Sequence, residues 1–348
     1  MTYNSIQYLR AFAAFSVIYI HLTYLFFDIN FCGAIGVDLF FVISGFIMAN
    51  SITKTIESGR ELSALAFIGR RIRRVYPLYF LLSSLFLIIF LVFHRDPIFY
   101  LKQYYLSMLF IPIQNGNKYA DPILFAGWSL NFEMIFYIII AFSILLFRKF
   151  CLHIAFSILL LLGLVGLCFT FNNIYVDTIF CNLFLEFALG IIAFWICNKI
   201  NVKKKIFLNI FFCLSIVVFF VSALGKDSGY GYLGIPRDFI KFSFEHVELL
   251  MPRSLIWGIP SFFVFLSTVL FFKDKKQIVA LEKLGDISYS MYLVQVPLIW
   301  FYDGHTLLVH NNILIVLIAL TMCACIVLIS LFTHKYIEKE EFLAFFKK

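Results

Sequence analysis

The sequence predicts an all-α polytopic membrane protein, a transmembrane helical bundle of about ten spans with both termini cytoplasmic. Three observations predict it. Of 348 residues, 62% are hydrophobic and 14% charged, with mean hydropathy +0.95, whereas soluble chains carry about 25% charged residues. The apolar residues, 46 phenylalanines among them, fall into runs close to the roughly 20 residues a helix needs to cross hydrocarbon. The basic residues between those runs alternate in number, as the positive-inside rule requires. Nearly the whole chain divides this way, so a single transmembrane domain over 1–348 is expected, with no room for a soluble domain of about 100 residues.

The expected spans are 6–27, 34–53, 77–94, 127–147, 150–171, 179–198, 206–224, 254–272, 286–305 and 312–333. The first lacks the small-residue cleavage site of a signal peptide and carries Arg10 and His21. Only Arg148 and Lys149 separate the fourth from the fifth, so those two form a tight hairpin. With the N-terminus inside, 21 of the 28 Lys and Arg lie in inner segments. The +8 formal charge is therefore topology, and no nucleic-acid partner is implied. Cys32 falls at an outer turn and the other seven cysteines in or beside spans. None forms a C-x-x-C pair, so neither a disulfide framework nor a metal site is read.

Two outer loops, 95–126 and 225–253, and one basic inner loop, 54–76, interrupt the apolar pattern. Loop 225–253 balances four basic against four acidic residues among aromatics. That composition suits a carbohydrate or headgroup, or a plain connection with an interfacial helix.

Ionisable side chains inside spans cost about 2.5–3.5 kcal/mol each to insert, so they mark function by default. Arg10 and His21 are eleven residues apart, an offset of about 20° and 16 Å along a helix. They share one face, Arg10 at the inner end and His21 beyond the midplane. Asp38, Glu133 and Glu186 count to the same outer-half layer as His21. A carboxylate there could orient the imidazole as a general base, with Glu133 the expected partner. Asp38 and Glu186 are expected in structural pairs with His21 or hydroxyls.

Before the third span, Arg70, Arg71, Arg73 and Arg74 sit at i, i+3 and i, i+4 spacings. They read either as a positive-inside anchor or as a phosphate clamp, since guanidinium forks bind phosphate bidentately. Two polar stripes follow helical spacing: Ser129, Glu133 and Tyr137, then Ser288, Tyr292 and Gln295. Such stripes also occur simply as glue between helices.

Five segments in order resemble the acyltransferase 3 family of integral membrane O-acyltransferases. LRAFAAFSVIYIH at 9–21 fits its Arg-x10-His pattern, and GVDLFFVISGFIM at 36–48 a second element. RRIRRVYPLY at 70–79 fits its Arg-x-x-Arg element, WSLNFEMIFY at 128–137 its Trp-Ser-Leu-x-x-Glu, and LGDISYSMYLVQ at 284–295 its Ser-Tyr-Ser segment. The resemblance implies transfer of an acyl group, usually acetyl, from cytoplasmic acetyl-CoA or another acyl-CoA to a hydroxyl of an extracytoplasmic carbohydrate. O-antigen, capsule and exopolysaccharide are the acceptors it suggests, and the bacterial inner membrane is the site. By position, His21 would be catalytic and Glu133 would support it. Arg10, Arg70, Arg71, Arg73 and Arg74 would hold the donor, and Asp38, Ser129, Glu186, Ser288 and Tyr292 would support the site. Where many members carry histidine, this chain has Gln295. The rival reading is a transporter or flippase of a polar or glycolipid substrate, although no inverted repeat is evident.

Overall fold

The computed structural model describes the chain except residues 1–3, 28–32, 94–95, 116–117, 172, 201–204, 228–238, 245–246, 274, 276, 304–311 and 339–348. Cys32 and most of the C-terminal tail lie outside the described residues. The helices, in chain order, are α1 (Ser5–Phe27), α2 (Ile35–Glu57), α3 (Ala64–Phe93), α4 (Pro97–Met108), α5 (Gly127–Phe147), α6 (Cys151–Cys168), α7 (Ile174–Ile179), α8 (Phe184–Lys199), α9 (Lys205–Ser222), α10 (Ile259–Phe271), α11 (Val279–Asp286), α12 (Ser288–Asp303) and α13 (Asn312–Thr333). A helix stands at each expected span, and among the described residues seven apolar helical stretches are long enough to cross a bilayer. One of these, Gly127–Cys168, is α5 and α6 joined by the three-residue 3-10 turn Arg148–Phe150, the expected hairpin. The protein is an all-α multi-pass membrane protein.

Several elements depart from expectation. The basic segment before the third span is not a loop beside the membrane. It is the first part of the 30-residue α3, which continues through Pro77. The sixth span begins late, because the short α7 and a break precede α8, so Glu186 sits in the first turn of α8 and not seven residues in. Loop 225–253 forms strands and no interfacial helix among its described residues: β3 (Lys226–Asp227), β4 (Phe239–Phe244) and β5 (Val247–Pro252), in an antiparallel sheet ordered β3-β4-β5. Antiparallel pairing satisfies the backbone of this excursion without a helix. The earlier pair, Ile113–Asn115 with Lys118–Ala120, forms a small hairpin in loop 95–126.

α2 is the centre of the bundle, packed against α1, α8 and α10. Its contact with α8 is set by paired glycines. A Cβ on Gly45 would lie 2.1 Å from the Phe187 carbonyl oxygen, and one on Gly190 2.2 Å from that of Val42. Without a hydrophobic driving force inside lipid, close backbone approach of this kind is what holds membrane helices together. The periphery is apolar outward: on α13, Ile313, Leu320 and Leu328 are 74%, 63% and 65% exposed, as lipid-facing residues must be. α1 crosses the inside of the bundle, touching α2, α11 and α12, and it carries the site.

Candidate functional site

Arg10 and His21 lie on α1 as their spacing requires, and each opens on a different cavity. The inner cavity, about 80 Å³, is lined by Arg10, Ser44, Arg71, Arg74, Ser129, Glu133, Tyr137, Ser288, Tyr289 and Tyr292, with apolar residues of α2. The outer cavity, about 540 Å³, is lined by His21, Tyr24, Leu25, Phe125, Val296, Ile299 and Trp300. The two share no lining residue.

α3 divides its four arginines. Arg71 and Arg74, three residues apart, face the inner cavity. Arg70 and Arg73 are exposed and do not line it. Arg73 Nε instead donates to the Gly69 carbonyl at 3.2 Å. Of the four arginines expected in a clamp, Arg71 and Arg74 line this cavity, together with Arg10 from α1. Arg10 is 8% exposed and donates to Gln7 Oε1 at 2.9 Å, and Gln7 in turn donates to Asp286 at 2.6 Å. Arg71 Nε is buried with no acceptor among the described residues. Leaving such a donor unsatisfied costs the desolvation of a charged group.

Glu133 belongs to this inner cavity. Its Oε1 accepts from Ser44 at 3.0 Å and from Tyr137 at 2.5 Å. Ser44 is six residues beyond Asp38 on α2, about 9 Å deeper by helical rise. Glu133 is thus nearer mid-bundle than counting from the helix ends suggested, with its carboxylate bonded to Ser44 and Tyr137. His21 Nδ1 lies 3.2 Å from Gln295 Oε1 on α12. The signal for Gln295 was in the sequence, at the end of the Ser288–Tyr292–Gln295 stripe. That stripe runs the length of the site: Ser288 and Tyr292 line the inner cavity, and Gln295 reaches the histidine of the outer one.

Ser129 and Tyr292 stand between the cavities. Their hydroxyls are 2.8 Å apart, and Tyr292 also donates to the Ala126 carbonyl at 3.1 Å. Ala126 adjoins Phe125, which lies edge-on to His21 at 5.9 Å.

Asp38 and Glu186 form a separate cluster. Both Asp38 oxygens accept from Arg253, at 2.8 Å from Nε and 2.7 Å from Nη2, and both side chains are fully buried. Arg253 is also held over Trp257 at 4.7 Å and Trp128 at 5.4 Å, and its Nη2 donates to the Ala34 carbonyl at 3.2 Å. Glu186 is buried beside Asp38, its carboxylate against Gly258. Asp38 is thus paired with Arg253, where His21 or a hydroxyl was expected. Arg253 was missed because hydropathy assigns it to the outer loop.

An all-helical membrane protein with an arginine-lined cavity and a histidine-lined cavity on one face of its first helix is the class that fold and site define. The chain belongs to the acyltransferase family: the family described as an acyltransferase domain matches residues 3–334. It is 31% identical over 210 residues to the exopolysaccharide production protein ExoZ of Rhizobium meliloti, covering 59% of this chain and 62% of ExoZ. The O-acetyltransferase OatA of Staphylococcus aureus is 27% identical over 97% of this chain and 57% of its own. The peptidoglycan O-acetyltransferase OatA of Listeria monocytogenes is 30% identical over 157 residues, 42% of this chain and 24% of its own. The chain thus spans under two thirds of these relatives. No solved structure matches it.

Proposed function

We propose that this protein is a membrane O-acyltransferase that moves an acyl group, acetyl by preference, from cytoplasmic acyl-CoA to a hydroxyl of an extracytoplasmic carbohydrate. The observation that carries the reading is that Arg10 and His21, about 16 Å apart along one helix face, line two chemically different cavities, one cationic and one holding an imidazole.

Arg71, Arg74 and Arg10 suit the phosphates of CoA, and the buried Arg71 Nε lacks the acceptor that a phosphate oxygen would supply. The cavity is small, about 80 Å³, so the nucleotide end would rest at the cytoplasmic mouth. The thioester arm would follow the face between Arg10 and His21, past Ser129 and Tyr292. His21 would take the proton of the acceptor hydroxyl as its oxygen attacks the thioester carbonyl. The C–S bond then breaks, and the imidazolium returns the proton to the departing thiolate. Exclusion of water around the arm would protect the thioester from hydrolysis.

Tyr24, Phe125 and Trp300 beside His21 give apolar faces on which a sugar ring can stack, with few polar groups to fix its orientation. The likeness to ExoZ and OatA favours a cell-surface polysaccharide, with exopolysaccharide first. The bacterial cytoplasmic membrane follows as location, with the N-terminus and the Arg71 end of α3 inside.

The purified protein in lipid nanodiscs, given acetyl-CoA labelled in the acetyl group and isolated surface glycan, should release free CoA thiol and label the glycan on oxygen. Glycan from cells lacking the protein should lose the matching O-acetyl signal. Transport of the glycan with no thiol release would overturn the reading in favour of a carrier.

A further inference from the structure

Beyond the acyl transfer itself, we propose that Gln295 is the positioning residue for His21, fixing both the tautomer and the direction of the ring. The proposal rests on His21 being the base and assigns a task to a residue that neither charge nor hydropathy distinguishes.

Gln295 is fully buried, and its amide is fixed at both ends. Its Nε2 donates to the Tyr292 carbonyl at 3.0 Å, which turns Oε1 towards His21 Nδ1 at 3.2 Å. The opposite amide orientation would set an oxygen against the Tyr292 carbonyl oxygen, two acceptors in contact. An amide oxygen can only accept, so the imidazole nitrogen facing it must carry hydrogen. Nδ1 therefore donates, and in the neutral ring the basic lone pair is on Nε2. A proton arriving at Nε2 leaves the Nδ1 donor in place, so the same hydrogen bond holds in the neutral and the cationic ring. Phe125, edge-on at 5.9 Å, limits rotation from another side.

The bland alternative is a hydrogen bond that merely glues α12 to α1. Two substitutions separate the alternatives, because they order oppositely. Gln295→Met keeps length and volume but offers no oxygen acceptor. Gln295→Glu keeps an acceptor towards Nδ1 whether its carboxyl is protonated, when it mimics the amide, or ionised. If Gln295 only packs, methionine is tolerated and a buried carboxyl is harmful. If Gln295 positions the ring, the reverse holds.

The experiment measures kcat and KM for acetyl-CoA in nanodiscs, with a thermal melt of each variant. Gln295→Met should lower kcat roughly tenfold or more, a part of the 10²–10⁴ that general-base help supplies, with donor KM within about twofold because Arg10, Arg71 and Arg74 are untouched. Gln295→Glu should keep kcat within a few-fold. Full turnover in Gln295→Met, or equal loss in both folded variants, would overturn the proposal. Should Gln295→Met fail to fold, the imidazole ¹⁵N shifts of the unaltered protein decide, the His21 signal being assigned by its loss in His21→Ala. Nδ1 must be the protonated nitrogen, and the opposite tautomer sinks the idea. His21→Ala assayed alongside keeps the two readings apart: near-normal transfer there would remove His21 as base whatever Gln295 does.

Discussion

Arg253 grips both oxygens of Asp38, at 2.8 and 2.7 Å, with neither side chain exposed. The pair ties the end of loop 225–253 to the second helix, deep in the protein. Removing one partner from a buried pair leaves an uncompensated charge and costs about 3–5 kcal/mol, whereas replacing both by apolar groups is often neutral. Arg253→Met should therefore lower the melting temperature in detergent sharply, and Arg253→Met combined with Asp38→Leu should recover much of the loss. Additive losses would show that the two residues act separately.

The division of the arginine cluster gives a second test. Arg71 and Arg74 face the inner cavity, and Arg70 and Arg73 do not. Arg71→Ala with Arg74→Ala should weaken acyl-CoA binding by a few kcal/mol, each charge-assisted hydrogen bond being worth about 1.5–3. Arg70→Ala with Arg73→Ala should leave affinity within about threefold. Calorimetric titration with a non-hydrolysable acyl-CoA analogue reads both. Equal effects of the two pairs would return the cluster to the role of a topology signal.

Topology itself is testable. With 21 of 28 basic residues in the inner segments, a cysteine introduced as Arg60→Cys should resist an impermeant maleimide in intact cells and react after permeabilisation. An introduced Lys118→Cys should react in both. Labelling of position 60 in intact cells would invert the assignment and with it the side from which the donor enters.

Much of this arrangement was legible in the sequence, and the gaps have physical causes. The shared face of Arg10 and His21 follows from a spacing of eleven, because helix geometry alone fixes it. The helical, membrane-spanning character was readable because lipid demands long apolar runs. Depth across helices was not: counting from the ends assumes parallel helices with known starts, and the break before α8 moved Glu186 to a helix end. Arg253 hid because a window of hydropathy cannot see that Asp38 waits to neutralise it. Gln295 hid because it carries no charge. Its place on a polar stripe was visible, but only packing of α12 against α1 shows which residue the stripe meets.

The separate places of His21 and Glu133 lead to the last prediction. His21 meets Gln295, whereas Glu133 accepts from Ser44 and Tyr137 in the arginine-lined cavity. Attack of a sugar hydroxyl on a thioester needs proton removal, worth roughly 10²–10⁴ in rate, so His21→Ala should abolish detectable transfer while acyl-CoA still binds. Glu133→Gln retains an oxygen that can accept from Ser44 and Tyr137, and removes one negative charge from a cavity proposed to receive an anion. It should slow turnover less than His21→Ala, and its effect should fall on the donor's KM, which should drop, while kcat changes little. Steady-state kinetics with acetyl-CoA varied at saturating glycan would separate the two. A large fall in kcat for Glu133→Gln at unchanged donor KM would mean that the carboxylate acts on the chemistry, and would put Glu133 back beside the base.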